Sequence, residues 1–515
     1  MSKFLTQWPA AIAALGVVCI SAVTPLFAAD LGSQVERYRI AHESQIVGEL
    51  DALTRFRSVA ADPAGLVAAA DHLQKLLQER GFEAKLLSAE PGSAPLVFGN
   101  LTSPAARHTV VFYAHYDGQP VTPSQWNSDP FTPVMRSGPL HSGEHDIDWK
   151  RAKSPFDPEW RFFGRAASDD KASIVAFLAA FDALKASGRK PSVNIKVAWE
   201  GEEEAGSTHL AEVLRTNQAL FAADLWLIGD APVHQSGRRM LYFGARGSLG
   251  LDATVYGPTR ALHDGHYGNW VPNPAAMAAT LIAQMRDDEG RILIPGFADD
   301  VRPLTAAEQD AIRNLPPVDA ALKQQFGIGR SEGNEGLSAS LMRPALNIRG
   351  VRSGQVGAAA ANAIPVDATV SIDFRLVPDQ TPAAVRAKVE AFMKANGWTL
   401  VVDEPDQATR LIHPRIIRLE WESGYPAFRS DMSTAIATAV VATASEAAHY
   451  PVAVLPMMGA SVPIYVFADL FKVPVIGLPI VNFDNNQHAA NENQRLKNLW
   501  DGIQTYAAMM AALSW

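Results

Sequence analysis

Thr109-Val110-Val111-Phe112-Tyr113-Ala114 is an unbroken apolar run that ends at His115-Tyr116-Asp117-Gly118. A strand buried on both faces of a parallel sheet reads this way, without polar alternation. Val193-Asn194-Ile195-Lys196-Val197-Ala198-Trp199 and Leu225-Trp226-Leu227-Ile228 have the same character, and helical segments such as residues 172–186 lie between the runs. Alternating strands and helices predict an α/β fold, a mainly parallel sheet flanked by helices. Open sheets of this kind bind ligands beyond the C-terminal ends of their strands. His115, Glu204 and Asp230 each fall at or just beyond such an end.

Outward from this sheet, residues from about 34 to 85 read as helical. Residues 66–79 show apolar side chains at three- and four-residue spacing, and Gly81 is placed to close that helix. From Arg246 to Trp421 the pattern changes. Leu249-Gly250-Leu251-Asp252-Ala253-Thr254-Val255 alternates, Ala368-Thr369-Val370-Ser371-Ile372-Asp373-Phe374-Arg375-Leu376 is a second strand candidate, and residues 382–396 read as a helix. These predict a smaller α+β unit, open on one sheet face and inserted into the first. Residues 431–447 then read as a helix. Ile464-Tyr465-Val466-Phe467 and Val475-Ile476-Gly477-Leu478 read as buried strands leading to His488. The chain divides accordingly into 30–245, 246–421 and 422–515.

A chain of 515 residues exceeds one ordinary core, which fits two domains. Hydrophobic residues make up 48% and charged residues 19%, a globular composition. The formal charge of −9 excludes general nucleic-acid binding. Lys3, the apolar residues 10–23 and the small residues of Phe27-Ala28-Ala29-Asp30 form the pattern of an export signal over residues 1–29. The apolar run is short for a membrane span, so no stable membrane insertion is expected. The single cysteine, Cys19, lies in that run. The mature chain would then have neither disulfides nor thiolate ligands, and would be periplasmic or secreted.

Five side chains are metal-ligand candidates. They are His115, Asp169 in Ala167-Ser168-Asp169-Asp170-Lys171, Glu204 in Glu200-Gly201-Glu202-Glu203-Glu204, Asp230 in Ile228-Gly229-Asp230, and His488 in Asn486-Gln487-His488. Two imidazoles and three carboxylates suit borderline or hard divalent ions such as Zn²⁺ or Mn²⁺. One carboxylate can bridge two ions about 3.5–4 Å apart. His115 and Asp117, two apart at a strand end, point the same way, so the aspartate can hold the second ring nitrogen of a metal-bound histidine. Of neighbouring glutamates, one can bind metal while the next moves a proton. Each motif also has an ordinary reading. His115 could be a core histidine, Asp169-Asp170 a helix N-cap, the glutamates a solvated turn, and His488 part of an exposed loop.

Together the motifs resemble the M20 metallopeptidases, the group of carnosinase-like dipeptidases and glutamate carboxypeptidases. The resemblance rests on His-Tyr-Asp-Gly-Gln-Pro at 115–120, Gly164-Arg165 leading to Asp169-Asp170-Lys171, Glu200-Gly201-Glu202-Glu203-Glu204, Leu262-His263-Asp264-Gly265-His266, Phe374-Arg375-Leu376-Val377-Pro378, Gly459-Ala460-Ser461-Val462-Pro463 and His488 with Asn491-Glu492. It implies two divalent ions per subunit, with zinc, manganese or cobalt as candidates. His115 and Asp230 would hold one ion, Glu204 and His488 the other, and Asp169 would bridge them. Glu203 resembles the general base and Asp117 the residue orienting His115. His263 resembles a histidine that reaches a partner subunit's site, and Arg375 the arginine that grips a substrate carboxylate. Asn362, Gly459 and Ser461 resemble further substrate contacts. The inserted part would be a lid and dimerisation domain within a homodimer. Substrates would be small peptides or N-acyl amino acids. Ala172, Asp264 and Asn269 stand where the family commonly has glycine, serine and glycine. A catalytically inactive binding relative is the alternative of another class, and it should have lost ligands that are retained here.

Overall fold

Burial on both faces makes Thr109–His115 a central strand of the larger sheet, and the computed structural model places it there. The structure describes residues 24–515 apart from 105, 461 and 463. Among the described residues an eight-stranded sheet runs in the order Glu83–Leu87, Leu96–Leu101, Asn194–Glu200, Thr109–His115, Leu225–Ile228, Val475–Gly477, Met240–Tyr242 and Ala453–Leu455. Asn194–Glu200, Thr109–His115, Leu225–Ile228 and Val475–Gly477 are parallel, with antiparallel pairings toward the edges. The helix Ala172–Ala186 is buried along nearly its whole length and packs against Leu496–Ala511 and Thr24–Thr54. A helix apolar on every side needs such a sandwiched position.

The N-terminal stretch expected to be helical from about 34 to 85 is two helices and a strand. Thr24–Thr54 and Pro63–Glu79 are separated at Asp62, whose side chain accepts from Gly65 N at 3.0 Å, with proline at the next position. Cap and proline start a new helix and so end any continuous one. Gly81, at φ 96°, closes the second helix as expected, and Glu83–Leu87 turns into the sheet edge. Ile464-Tyr465-Val466-Phe467 is also corrected. It begins the helix Tyr465–Phe471, whose Phe467 ring stacks on Trp226 at 4.4 Å. A four-residue apolar run carries no period that separates strand from helix, and covering the sheet buries it equally well. The helix expected over 431–447 is Ala435–Ala448, started by Thr434, whose hydroxyl accepts from Ala437 N at 3.1 Å.

A separate five-stranded sheet runs in the order Ala345–Arg352, Asp367–Leu376, Gly247–Tyr256, Ile416–Trp421 and Thr399–Val401. The helices Pro274–Met285 and Pro382–Ala395 pack on it through Leu281, Met285, Val389 and Met393. Leu251, Val370, Ile372 and Phe374 complete that core. Residues 1–23 of the expected export signal lie outside the described residues. Among the described residues no helix is long and apolar enough to cross a membrane.

Candidate metal centre

His115 ends a central strand with its side chain fully buried. Its Nε2 lies 3.0 Å from Asp169 Oδ1, and its Nδ1 lies 3.3 Å from Asp117 Oδ1. Asp117 also accepts from the backbone N–H groups of Glu203 (3.2 Å) and Glu204 (3.0 Å). One aspartate therefore orients the histidine and holds the glutamate turn. The second oxygen of Asp169 lies 3.1 Å from His488 Nε2 and accepts from Gln487 Nε2 at 2.8 Å. His488 Nε2 is in turn 3.3 Å from Glu204 Oε2, to which Gln119 Nε2 donates at 2.7 Å.

The ligand-capable atoms form two groups. Those of His115, Glu203 and Asp230 lie within 4.8 Å of one another, as do those of Asp169, Glu204 and His488. All five candidate ligands and Glu203 thus share one site, and Asp169 turns one oxygen to each histidine. The ordinary readings fare differently. The turn Ala167–Lys171 supplies no side-chain cap to the helix that follows, so Asp169-Asp170 is not its N-cap. The glutamates are half-buried rather than solvated. Glu202 is engaged elsewhere, with His209 Nδ1 at 2.8 Å and the Ala94 amide at 3.2 Å. His488 does sit in a polar loop, its side chain 54% exposed.

The electrostatics test whether cations fit. Burial, then the charge of Asp169, pushes the Glu204 carboxyl up to about 8 and that of Asp230 up to about 6. Burial also carries Glu203 well above the usual carboxylate range, with Asp230, Asp169 and Glu204 adding to the rise. Burial acts on Asp169 in the same direction, but hydrogen bonds from His115 and His488 outweigh it and hold its carboxyl low. Asp170 is buried too, and its Oδ2 has no partner among the described residues. The site concentrates carboxylates in a low dielectric beyond what two imidazoles neutralise. Its donors are oxygen and imidazole nitrogen, with no sulfur. Both facts fit a pair of borderline or hard divalent ions.

Sequence reasoning did not reach several supporting contacts. Tyr113 Oη donates to Glu200 Oε2 at 2.6 Å, inside the sheet. Gly201 is required because a methyl group there would overlap the Tyr116 ring, which leads into the glutamate turn. Glu492, read only as part of a polar cluster, accepts from five donors of the Asp169 loop. Only the run Asn491-Glu492 marks it in the sequence.

The remaining candidates fall into two neighbourhoods. Arg375 pairs with Ser248 and Ala345 in the smaller sheet, and its Nε donates to Asp373 Oδ2 at 2.7 Å. Arg246 lies just before the strand Gly247–Tyr256, close enough to Arg375 to feel its charge. Its backbone N–H donates to Ala460 O at 3.3 Å, and its Nη2 to Arg343 O at 2.9 Å. The segment after Gly459 is thereby tied beside the Arg375 strand, and Gly459 itself abuts Leu341. Burial and the charge of Arg375 pull the Arg246 guanidinium down to about 10. Ser461 lies outside the described residues. His263 belongs to the short strand Leu262–His263, and Asp264 N donates to Asn362 O at 3.1 Å, so His263 and Asn362 adjoin. Both are exposed, and among the described residues no hydrogen bond or ion pair joins them to the ligand cluster.

The sequence profile of peptidase family M20/M25/M40 matches residues 111–512. A Cys-Gly metallodipeptidase from Schizosaccharomyces pombe is 27% identical over 431 residues, spanning 82% of this chain and 83% of the relative. A Beta-Ala-His dipeptidase from Mus musculus is 26% identical over 434 residues, spanning 82% and 80%. Among solved structures, the M20 family metallo-carboxypeptidase Sso-CP2 from Sulfolobus solfataricus superposes with a TM-score of 0.72 at 25% identity, covering 90% of this chain and 98% of its own.

Proposed function

This chain belongs to peptidase family M20, and we propose that it hydrolyses the amide bond of dipeptides or short peptides that carry a free C-terminal carboxylate. The observation that carries the reading is Asp169, which faces His115 with one oxygen and His488 with the other. His115 and Asp230 would hold one divalent ion, Glu204 and His488 the second, and Asp169 both. The ions, when bound, supply Lewis acidity that polarises a carbonyl and acidifies water. The chain's own groups do the rest. Glu203 takes the proton of the attacking water at its carboxylate and passes it to the leaving nitrogen. Asp117 keeps His115 and the Glu203 turn in register. Arg375 grips the substrate carboxylate with its guanidinium fork. The S. pombe and mouse relatives are dipeptidases by name, which supports short peptides. N-acyl amino acids share the free carboxylate and are the alternative substrates.

Replacing Arg375 by alanine is expected to raise KM about 10–100-fold for a dipeptide, the loss of a charge-assisted contact of roughly 1.5–3 kcal/mol. The same dipeptide with an amidated C-terminus should show no such change. An equal effect on both would remove Arg375 from this role. Wild-type protein that cleaves neither dipeptides nor N-acyl amino acids when supplied with zinc, manganese or cobalt would favour the inactive relative instead.

The proposal extends to the chain's setting. Residues 1–29 direct export, and residues 246–421 form a lid through which two copies pair, with His263 reaching the partner's site. Leu31 and Val35 are already in the core, which suits a mature chain beginning at Asp30. Mass spectrometry showing an N-terminus at Asp30, and sedimentation of the mature chain as a dimer, check these two readings.

A further inference from the structure

Sheet strands position some ligands of the centre, and loops position the others. His115 ends one strand and Asp230 closely follows another. Asp169 lies in the turn Ala167–Lys171, and His488 lies in a loop with φ of 61°. Loops placed independently would not hold two ligands on one ion, so something must join them.

The joint is Glu492, whose side chain is fully buried. Its Oε1 accepts from Ser168 N (3.0 Å), Ser168 Oγ (2.9 Å) and Asp169 N (2.9 Å). Its Oε2 accepts from Ala166 N (2.9 Å) and Arg165 Nη1 (2.8 Å). Arg165 carries the connection onward. Its Nη2 donates at 3.1 Å to the carbonyl of Ala489, the residue after His488. Its guanidinium lies 5.0 Å from the Trp126 ring, and Asn127 beside that ring donates its N–H to Asn491 Oδ1 at 2.8 Å. Both charges are out of water, so neither tolerates loss of the other. Both oxygens of the carboxylate are occupied by N–H and O–H donors, and this leaves the brace little freedom to slide.

We propose that Glu492 and Arg165 are positioning residues that set the affinity of the His488 side of the centre. They hold the Asp169 and His488 loops at one separation, so that both ligands close on the same ion. The proposal rests on the two-metal reading above. The His115 and Asp230 side shares only Asp169 with the brace, whereas the other side relies on it for both Asp169 and His488, so the His488-side ion depends on the brace more.

Titration of metal-free protein with Zn²⁺ or Mn²⁺, followed by calorimetry, separates the outcomes. Wild type should take up two ions. Glu492→Gln keeps the side chain's shape but turns an amide N–H₂ toward donors that need an acceptor. It should weaken the His488-side ion about 10–100-fold, the usual scale for a group supporting a ligand, and the other ion by a clearly smaller factor. Ser168→Ala removes one hydroxyl from the brace and threatens the fold less. It should weaken the His488-side ion by a smaller factor. General destabilisation would not single out one ion. Equal weakening of both ions, or none in either variant, overturns the proposal while the two-metal reading stands. Wild-type protein that takes up no ion overturns both.

Discussion

Glu203→Ala should still bind two divalent ions and should lose turnover by about 10²–10⁴-fold, the usual contribution of a positioned proton carrier. The measurement is informative because the geometry permits two roles. Glu203 lies within ligand distance of His115 and Asp230, so it could instead be a ligand. A ligand's removal weakens an ion. A base's removal leaves both ions in place and lowers kcat and kcat/KM together, since the lost interaction acts on the moving proton. Asp117 ties the backbone N–H of Glu203 to the His115 side chain, so the turn should survive truncation beyond Cβ. Loss of one ion in this variant would make Glu203 a ligand, and near wild-type turnover would remove it from the chemistry.

Chelation is expected to abolish turnover and to destabilise the fold in a way that grows with pH. Re-addition of an ion at about 100 times its dissociation constant should return about 2.7 kcal/mol of stability. The pH dependence follows from the buried carboxyls. Without ions, the folded-state values of Glu204 (about 8) and Asp230 (about 6) exceed ordinary carboxylate values. A raised folded value means that the folded chain holds protons which the unfolded chain releases. Between about pH 4 and 8 the metal-free protein should therefore lose stability as pH rises. Below that window both states are protonated and the penalty is absent. Divalent ions replace the protons as the neutralising charge, so the gain in thermal midpoint on adding metal should be larger at pH 8 than at pH 5. Turnover that persists after exhaustive chelation, or a stabilisation that shrinks as pH rises, would count against the two-metal reading.

Much of this was legible in the chain before folding. The unbroken run Thr109-Val110-Val111-Phe112-Tyr113-Ala114, rich in β-branched and aromatic residues, suits a strand covered on both faces, and that locates the sheet. Residues 172–186, apolar all round, became a helix buried between other helices. Ile464-Tyr465-Val466-Phe467 defeated the same reasoning, because burial against Trp226 rewards helix and strand alike. Arg246 also went unread. Nothing in Ala245-Arg246-Gly247 marks a site until folding brings Arg246 near Arg375 and ties its N–H to Ala460 O. Glu202 and Glu204 look equivalent in the string, yet one is held by His209 and the other faces His488.

The sequence by itself determined which side chains could bind metal and that several of them would lie at the ends of parallel strands, because apolar periodicity and donor chemistry are local properties of the chain. Only the tertiary structure decided that the two oxygens of Asp169 face two different histidines, and that Glu492 and Arg165 hold the Asp169 and His488 loops together. Asp169 and His115 are 54 positions apart, and the contacts of Asp169 with His488 and of Arg165 with Glu492 join residues more than 300 positions apart. Their distances depend on how helices, sheet and loops pack at once, which no local pattern encodes.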